Sequence, residues 1–370
     1  MGGPPPQDPR AAGGGERNAV DRGDGLDVLE MNGLIPMFGA LAGFAITMLL
    51  GFWGVPFLRR LKFGQTILDI GPSWHKSKEG TPTMGGILII MGCFGAVLLA
   101  FVTAVTTGAG VKGELSDTQK ITTFAAGIGL ALGMGLIGFI DDYIKVVKKR
   151  NLGLTARQKT FMQLLISAAY LLSLKFGGMD TTWLPFLGDV NILSGFGLLF
   201  WPIALLFIYG FVNAVNLTDG IDGLASSVTL VVAAFFMLAA GICNFYCTNL
   251  LAACLAGACI GFLCWNAHPA KVFMGDTGSL FLGGMVVALS FGIDRPVLLL
   301  LAGAVYLIEA LSVMLQVGYY KKTKKRLFKM APLHHHFEMS GWSEEKIVLV
   351  FSLIALFGCL LAAAPIVFRW

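Results

Sequence analysis

Ten apolar stretches, at roughly 34–57, 84–104, 121–140, 159–176, 196–212, 224–242, 249–265, 279–292, 297–317 and 347–368, leave this chain few ways to fold. A run of about 20 apolar residues is long enough, as a helix, to cross a hydrocarbon core roughly 30 Å thick. Composition agrees: 56% of residues are apolar and only 13% are charged, whereas an ordinary soluble domain is about 25% charged. Too few charged groups remain to cover a water-facing surface. The expected fold is an all-α, polytopic integral membrane protein with about ten transmembrane helices. The fourth and eighth stretches are short, as tilted spans or spans that begin within a polar flank would be. No internal repeat appears, so an inverted-repeat transporter gains no support.

Residues 1–30 are rich in Gly, Pro, Asp and Arg without periodicity and are expected to be a disordered tail. Met31 offers an alternative start, which would make that tail foreign to the protein; residues 31–370 then form a single integral membrane domain. The first apolar run is too long and too late for a cleavable signal peptide. Nineteen Lys and Arg residues fall in the segments after the odd-numbered spans, against Lys112, Lys120, Lys175 and Arg295 between spans on the other side. Cytoplasmic loops retain basic residues, so the richer side is expected to be cytoplasmic and both termini outside. The net charge of +5 carries no basic and aromatic stripe outside these loops, which argues against nucleic-acid binding. Most of the seven cysteines lie inside apolar runs, where Cys acts as a small hydrophobe; Cys243 and Cys247 alone flank a turn.

Five polar motifs all fall on the basic side. Asp141-Asp142 closes the third run, and two adjacent carboxylates there can bind Mg²⁺ or take a proton from a phosphate. A solvated helix end is the plainer account, yet negative charge at a helix C-terminus opposes the macrodipole. Asn213, Asn216, Asp219 and Asp222 recur every three residues, which on a helix keeps them roughly on one face. Gly220 and Gly223 would let a ligand approach the backbone. In Phe273-Met-Gly-Asp-Thr-Gly278, Asp276 offers a hard oxygen to Mg²⁺, Gly275 and its neighbours offer N–H groups to a phosphate, and Phe273 either stacks on a nucleobase or simply packs. His334, His335 and His336 cannot readily converge on one metal from a regular helix; as diphosphate donors, or with one handling a proton, they fit better. Lys78, Thr81 and Thr83 sit in a loop punctuated by Gly and Pro, suited to holding an anion. Glu309 lies within the ninth apolar run, where an ionisable group is costly and points to function.

Taken together, Gly80-Thr-Pro-Thr-Met-Gly-Gly86, Asp141-Asp142, Asn213 through Gly223, Phe273-Met-Gly-Asp276 and Pro332-Leu-His-His-His-Phe-Glu338 resemble the phospho-N-acetylmuramoyl-pentapeptide translocase family, one of the polyprenyl-phosphate N-acetylhexosamine-1-phosphate transferases. The resemblance runs in order from about Met31 to Trp370. It implies transfer of phospho-MurNAc-pentapeptide from UDP-MurNAc-pentapeptide to undecaprenyl phosphate, with Mg²⁺, at the cytoplasmic face of a bacterial plasma membrane, and it allows a homodimer. It implies Asp141, Asp142, Asp276 and His335 as catalytic, with Asp276 on the metal. Lys78, Thr83, Lys145, Lys159, Asn213, Asn216, Asp219, Gly220, Asp222, Phe273, His334 and His336 would bind substrate. The sister GlcNAc-1-phosphate transferases, an anion or nucleotide-sugar transporter and an intramembrane prenyltransferase are the alternatives. The prenyltransferase would want a third acid beside Asp141-Asp142-Tyr-Ile-Lys145.

Overall fold

A computed structural model describes residues 2, 17–61, 80–108, 111–148 and 152–368. The chain is helical almost throughout: α1 (Arg17–Arg60), α2 (Gly86–Thr107), α3 (Val111–Leu115), α4 (Thr118–Val147) and α5 (Ala156–Phe176) are followed by a hairpin of β1 (Thr181–Leu184) and β2 (Gly188–Asn191). Then come α6 (Phe200–Thr218), α7 (Leu224–Ile242), α8 (Tyr246–Asn266), α9 (Gly275–Gly292), α10 (Leu299–Ala302), α11 (Ala304–Thr323), α12 (Leu333–Glu338) and α13 (Glu344–Val367). The strands pair antiparallel, with Thr181 opposite Asn191 and Leu184 opposite Gly188.

Nine of the ten expected stretches fall largely within one helix each, and the remaining one, 297–317, is broken at Gly303 between α10 and α11. Among the described residues, seven helices are long and apolar enough to cross a membrane, and the pair Pro296–Ala302 and Ala304–Thr323, bent by 75°, would make an eighth. This is an all-α polytopic membrane protein. Residues 17–30, expected within a disordered tail, belong to α1.

The short eighth stretch has a physical reason. Every residue of α9 from Thr277 to Gly292 is buried, and a helix that is apolar all round belongs in the interior of a bundle. Small residues let neighbours close on it. A Cβ on Gly138 of α4 would stand 2.1 Å from the Asp276 carbonyl, and one on Gly86 of α2 would stand 2.1 Å from the Gly278 nitrogen. Such close backbone approach is how membrane helices gain packing where hydrophobicity supplies no drive. Lipid-facing positions on the outer helices are large and apolar, among them Trp53, Leu98, Leu136 and Leu360. The central helix thus fixes where Asp276, in its first turn, must sit.

Candidate active site

The third expected span ends later than its apolar run. α4 continues to Val147, so Asp141 and Asp142 lie inside a helix and are not at its solvated end. Both are buried at 3% exposure. Their extra turn places Lys145 one turn beyond Asp141, with Nζ 2.6 Å from the Asp141 carboxylate and 2.9 Å from that of Asp276. Lys159, in the first turn of α5, donates to Asp276 from 3.1 Å. One carboxylate oxygen from each of Asp141, Asp142 and Asp276 lies within 4.8 Å of the other two. The third acid that Asp141-Asp142 lacks in sequence is therefore supplied by α9.

Each member of the group is held differently. Asp142 accepts from the backbone N–H groups of Asp276 and Thr277 and from the Thr277 hydroxyl, at 3.2, 2.9 and 2.7 Å. It satisfies the free N–H groups that open α9 and complements the positive end of that helix. Asp141 accepts from the Leu154 N–H at 2.7 Å; a Cβ on Gly153 would come within 2.4 Å of that carboxylate, so only Gly leaves it room. Asn216 donates to Asp276 at 2.8 Å and to the Ser279 hydroxyl at 2.7 Å. Gly275 adopts φ of +70°, a left-handed turn that suits Gly. A Cβ there would meet Asp142 and the Thr83 hydroxyl, which puts Thr83 at the edge of the group. The Thr-Pro-Thr loop is tied in through its backbone: Phe273 N–H donates to the Pro82 carbonyl, and Gly85 and Gly86 donate to those of Phe273 and Met274. Phe273 itself is half-buried.

Three acids crowd where only two ammonium groups balance them. Hard carboxylate oxygens in that number, on rigid elements, suit a small divalent cation such as Mg²⁺. Asp276 and Asp141 would be its first ligands, since a cation could take the place of the Lys145 ammonium between them, whereas Asp142 grips the start of α9.

The run Asn213, Asn216, Asp219, Asp222 does not share one helix face. α6 stops at Thr218 and α7 starts at Leu224, with Gly223 at φ of +76° turning the chain. Asn213 pairs with Gln163 of α5 at 2.9 Å and is not joined to the acidic group. Asp219 caps the end of α6, where its backbone N–H donates to the Asn216 carbonyl at 3.3 Å. Burial, with the charges of Asp276, Asp142 and Asp222 nearby, pushes its carboxyl well above the usual carboxylate range. Asp222 accepts from the Ala270 N–H at 3.0 Å and lies 3.1 Å from His268 Nδ1, while its own N–H donates to Glu344. His268 and Glu344 escaped sequence reasoning. Both stand outside every motif.

The three histidines point three ways, as expected for consecutive residues. His334, fully buried, turns to Glu309, whose carboxylate accepts the His334 backbone N–H at 3.2 Å and lies 3.1 Å from Nδ1. Glu309 therefore has a partner in the histidine motif. The Nε2 atom, buried without a hydrogen bond, lies against Gly220, where a Cβ would stand 2.1 Å away. His335 pairs with Glu338, and His336 Nδ1 accepts from the Lys329 N–H at 3.1 Å. Lys78 lies outside the described residues. All seven cysteines are free, Cys243 and Cys247 included.

A carboxylate triad flanked by lysines, where helices of a membrane bundle meet, defines a class: an integral membrane protein with a buried, charged site at the start of its central helix. Comparison with known proteins narrows it. Residues 124–293 match Glycosyl transferase family 4, and residues 78–90 match phospho-N-acetylmuramoyl-pentapeptide-transferase signature 1. The chain is similar to the phospho-N-acetylmuramoyl-pentapeptide-transferases of Acetivibrio thermocellus (45% identity, 88% of this chain and 93% of the relative), Clostridioides difficile (45%, 86% and 93%) and Heliobacterium modesticaldum (47%, 88% and 96%). This chain belongs to the phospho-N-acetylmuramoyl-pentapeptide-transferase family.

Proposed function

We propose that the protein transfers phospho-MurNAc-pentapeptide from UDP-MurNAc-pentapeptide to undecaprenyl phosphate, yielding lipid I and UMP for peptidoglycan synthesis. The observation that carries this reading is the triad of Asp141, Asp142 and Asp276 within 4.8 Å, in contact with Lys145 and Lys159. Joining two phosphate groups requires their repulsion to be neutralised, and preorganised cations in a site shielded from water do this well. Mg²⁺ bound at Asp276 would supply charge neutralisation and polarise the phosphoryl oxygens.

The chain's own groups supply the rest. A lipid phosphate monoester loses its second proton near pH ~6, so it is already a nucleophile at neutral pH. Its oxygen attacks the β-phosphorus in line. The bond from that phosphorus to the oxygen bridging it to the α-phosphorus breaks, and UMP leaves with that oxygen. Asp141 orients the attacking phosphate or takes its remaining proton. Asp142 fixes the first turn of α9 and through it Asp276. Lys78, Thr83, Asn213, Asn216, Asp219, Gly220, Asp222 and Phe273 serve the nucleotide side, while Lys145, Lys159 and the loop from His334 to His336 serve phosphates and sugar. Asn213 acts through Gln163.

The reading places the site on the cytoplasmic side of a bacterial plasma membrane, with ten spans, both termini outside, residues 31–370 as one domain and a homodimer as one possible assembly. The test is UMP release in detergent with Mg²⁺ and undecaprenyl phosphate, comparing UDP-MurNAc-pentapeptide with UDP-GlcNAc. Turnover of the first alone is expected; turnover of only the second would move the protein to the sister transferases. Inversion at a chirally labelled β-phosphorus is expected for one displacement, and retention would replace it with an aspartyl-phosphate route.

A further inference from the structure

At the same end of the bundle as Asp276, a cavity of about 450 Å³ opens between the last turns of α1 and the connection from α8 to α9, lined by Val55, Pro56, Arg59, Arg60, Trp265 and Lys271. Its lining, among the described residues, is half basic and half apolar, and contains no acid. Among the described residues none of the three cationic side chains has an ion pair or hydrogen bond; Lys271 Nζ instead lies 5.3 Å from the centre of the Trp265 ring. Three cations gathered with no counter-charge among the described residues repel one another, and an anionic ligand relieves that repulsion.

The apolar half is rigid. Trp265 Nε1 donates to the Met48 carbonyl at 3.0 Å, and Phe52 meets the indole edge-on with ring centres 4.9 Å apart. A Cβ on Gly51 would stand 2.1 Å from Nε1, so this glycine creates the seat. Val55, at 4% exposure, forms the floor. Toward the bilayer, α1 presents Phe52, Trp53 and Phe57, all more than half exposed, to lipid. Aromatic side chains with cations just beyond them mark the headgroup level of a membrane helix, and basic pockets between helices on the cytoplasmic side suit lipid phosphates.

We infer that this cavity binds the headgroup of an anionic glycerophospholipid. The phosphodiester would lie among Arg59, Arg60 and Lys271, and the glycerol and first acyl carbons against Val55, Pro56 and Trp265. A soluble phosphate would gain nothing from the apolar half or from the opening toward lipid-facing α1.

Native mass spectrometry of the full chain in detergent, titrated with phosphatidylglycerol or phosphatidylcholine, tests the assignment by binding alone and so stands apart from the proposed reaction. Each basic residue near anionic lipid contributes about 1 kcal/mol, so Lys271→Gln should weaken phosphatidylglycerol binding about fivefold and the triple variant Arg59→Gln, Arg60→Gln, Lys271→Gln about a hundredfold. Phosphatidylcholine binding should be unchanged in both. Should the triple variant fail to fold, the Lys271→Gln arm decides alone. Undiminished phosphatidylglycerol binding overturns the proposal. So does displacement of that lipid by inorganic phosphate, which would mark a soluble-anion site, or by equimolar undecaprenyl phosphate, which would make the cavity an acceptor site.

Discussion

Buried carboxylates occur at both ends of α4, and they are treated in opposite ways. Glu114 precedes the helix; its two oxygens accept the N–H groups of Tyr246 and Cys247, each at 2.7 Å, and Lys120 lies 3.6 Å away. It is a solitary acid capping α8, with a donor for each oxygen. Some 35 Å along the same helix, Asp141 and Asp142 face Asp276 and share its lysines. The acid at the first end is given its own donors, whereas the acids of the triad crowd together, a cost in stability that Lys145 and Lys159 offset. Asp142 belongs to both kinds, since it caps α9 as Glu114 caps α8.

The sharpest way to break this contrast is Asp276→Ala. Loss of one electrostatic contact to a transferring phosphoryl group costs about 10²–10³ in rate. UMP release should fall by at least that much, while the melting temperature in detergent holds or rises as crowding is relieved. Near-normal turnover would remove Asp276 from the reaction, and a collapse in melting temperature would make the triad structural like Glu114.

A smaller effect is expected from Glu309→Ala. It strips His334 of its contacts at the backbone N–H and at Nδ1, leaving buried polar atoms unsatisfied at about 2 kcal/mol. The ring is then free to shift against Gly220, and UMP release should fall about tenfold, which corresponds to roughly 1.4 kcal/mol of misplacement. Glu309→Gln keeps an acceptor for the backbone N–H and should recover part of both losses. Unchanged activity in the alanine variant would show that the buried pair only staples α11 to α12.

Glu309 also shows where sequence reasoning stops. An acid inside an apolar run announces itself, because its burial is costly without a partner, but the run does not say which residue 25 positions away supplies that partner. The same holds for the triad. Asp141, Asp142 and Asp276 stand out as acids bordering hydrophobic stretches, and helix periodicity accounts for most of the fold. Their convergence depends on Gly138 and Gly86 letting α4 and α2 close on α9, and close packing leaves only small residues in the sequence. The three-residue spacing from Asn213 to Asp222 misled for a related reason. It holds on a continuous helix, but Gly220 and Gly223 lie in a turn, so the last two acids leave the helical face. Thr277 was legible as part of the Phe273-Met-Gly-Asp-Thr-Gly278 string, although its task, gripping Asp142, was not.

Glu114→Ala sharpens the comparison from the other end. Losing a helix cap costs about 1–2 kcal/mol, read as a lower melting temperature, with UMP release at permissive temperature unchanged. A loss of activity larger than the loss of folded protein would mean that the two ends of α4 are coupled.

Asp294 is the exception at the capped end, and it predicts the smallest effect. It follows α9, at the far end of that helix from Asp276, and its Oδ1 is buried without a hydrogen bond. Burial, then the charge of Asp189, push its carboxyl up to about 7, with Arg295 opposing. The folded protein therefore holds this proton more tightly than the unfolded chain does. The resulting stability is fully present below the unfolded value near 3.8 and drains away as pH rises through about 7. Asp294→Asn cannot ionise, and Asn tolerates the left-handed φ of 56° at this position. The variant should match the parent below about pH 3.8, gain on it between there and about 7, and exceed it above pH 8 by about 1 kcal/mol, solvent screening holding the gain to that scale. Parallel melting curves across that range would show that the carboxylate is already satisfied there, and the capped end of the bundle would then hold no uncompensated charge.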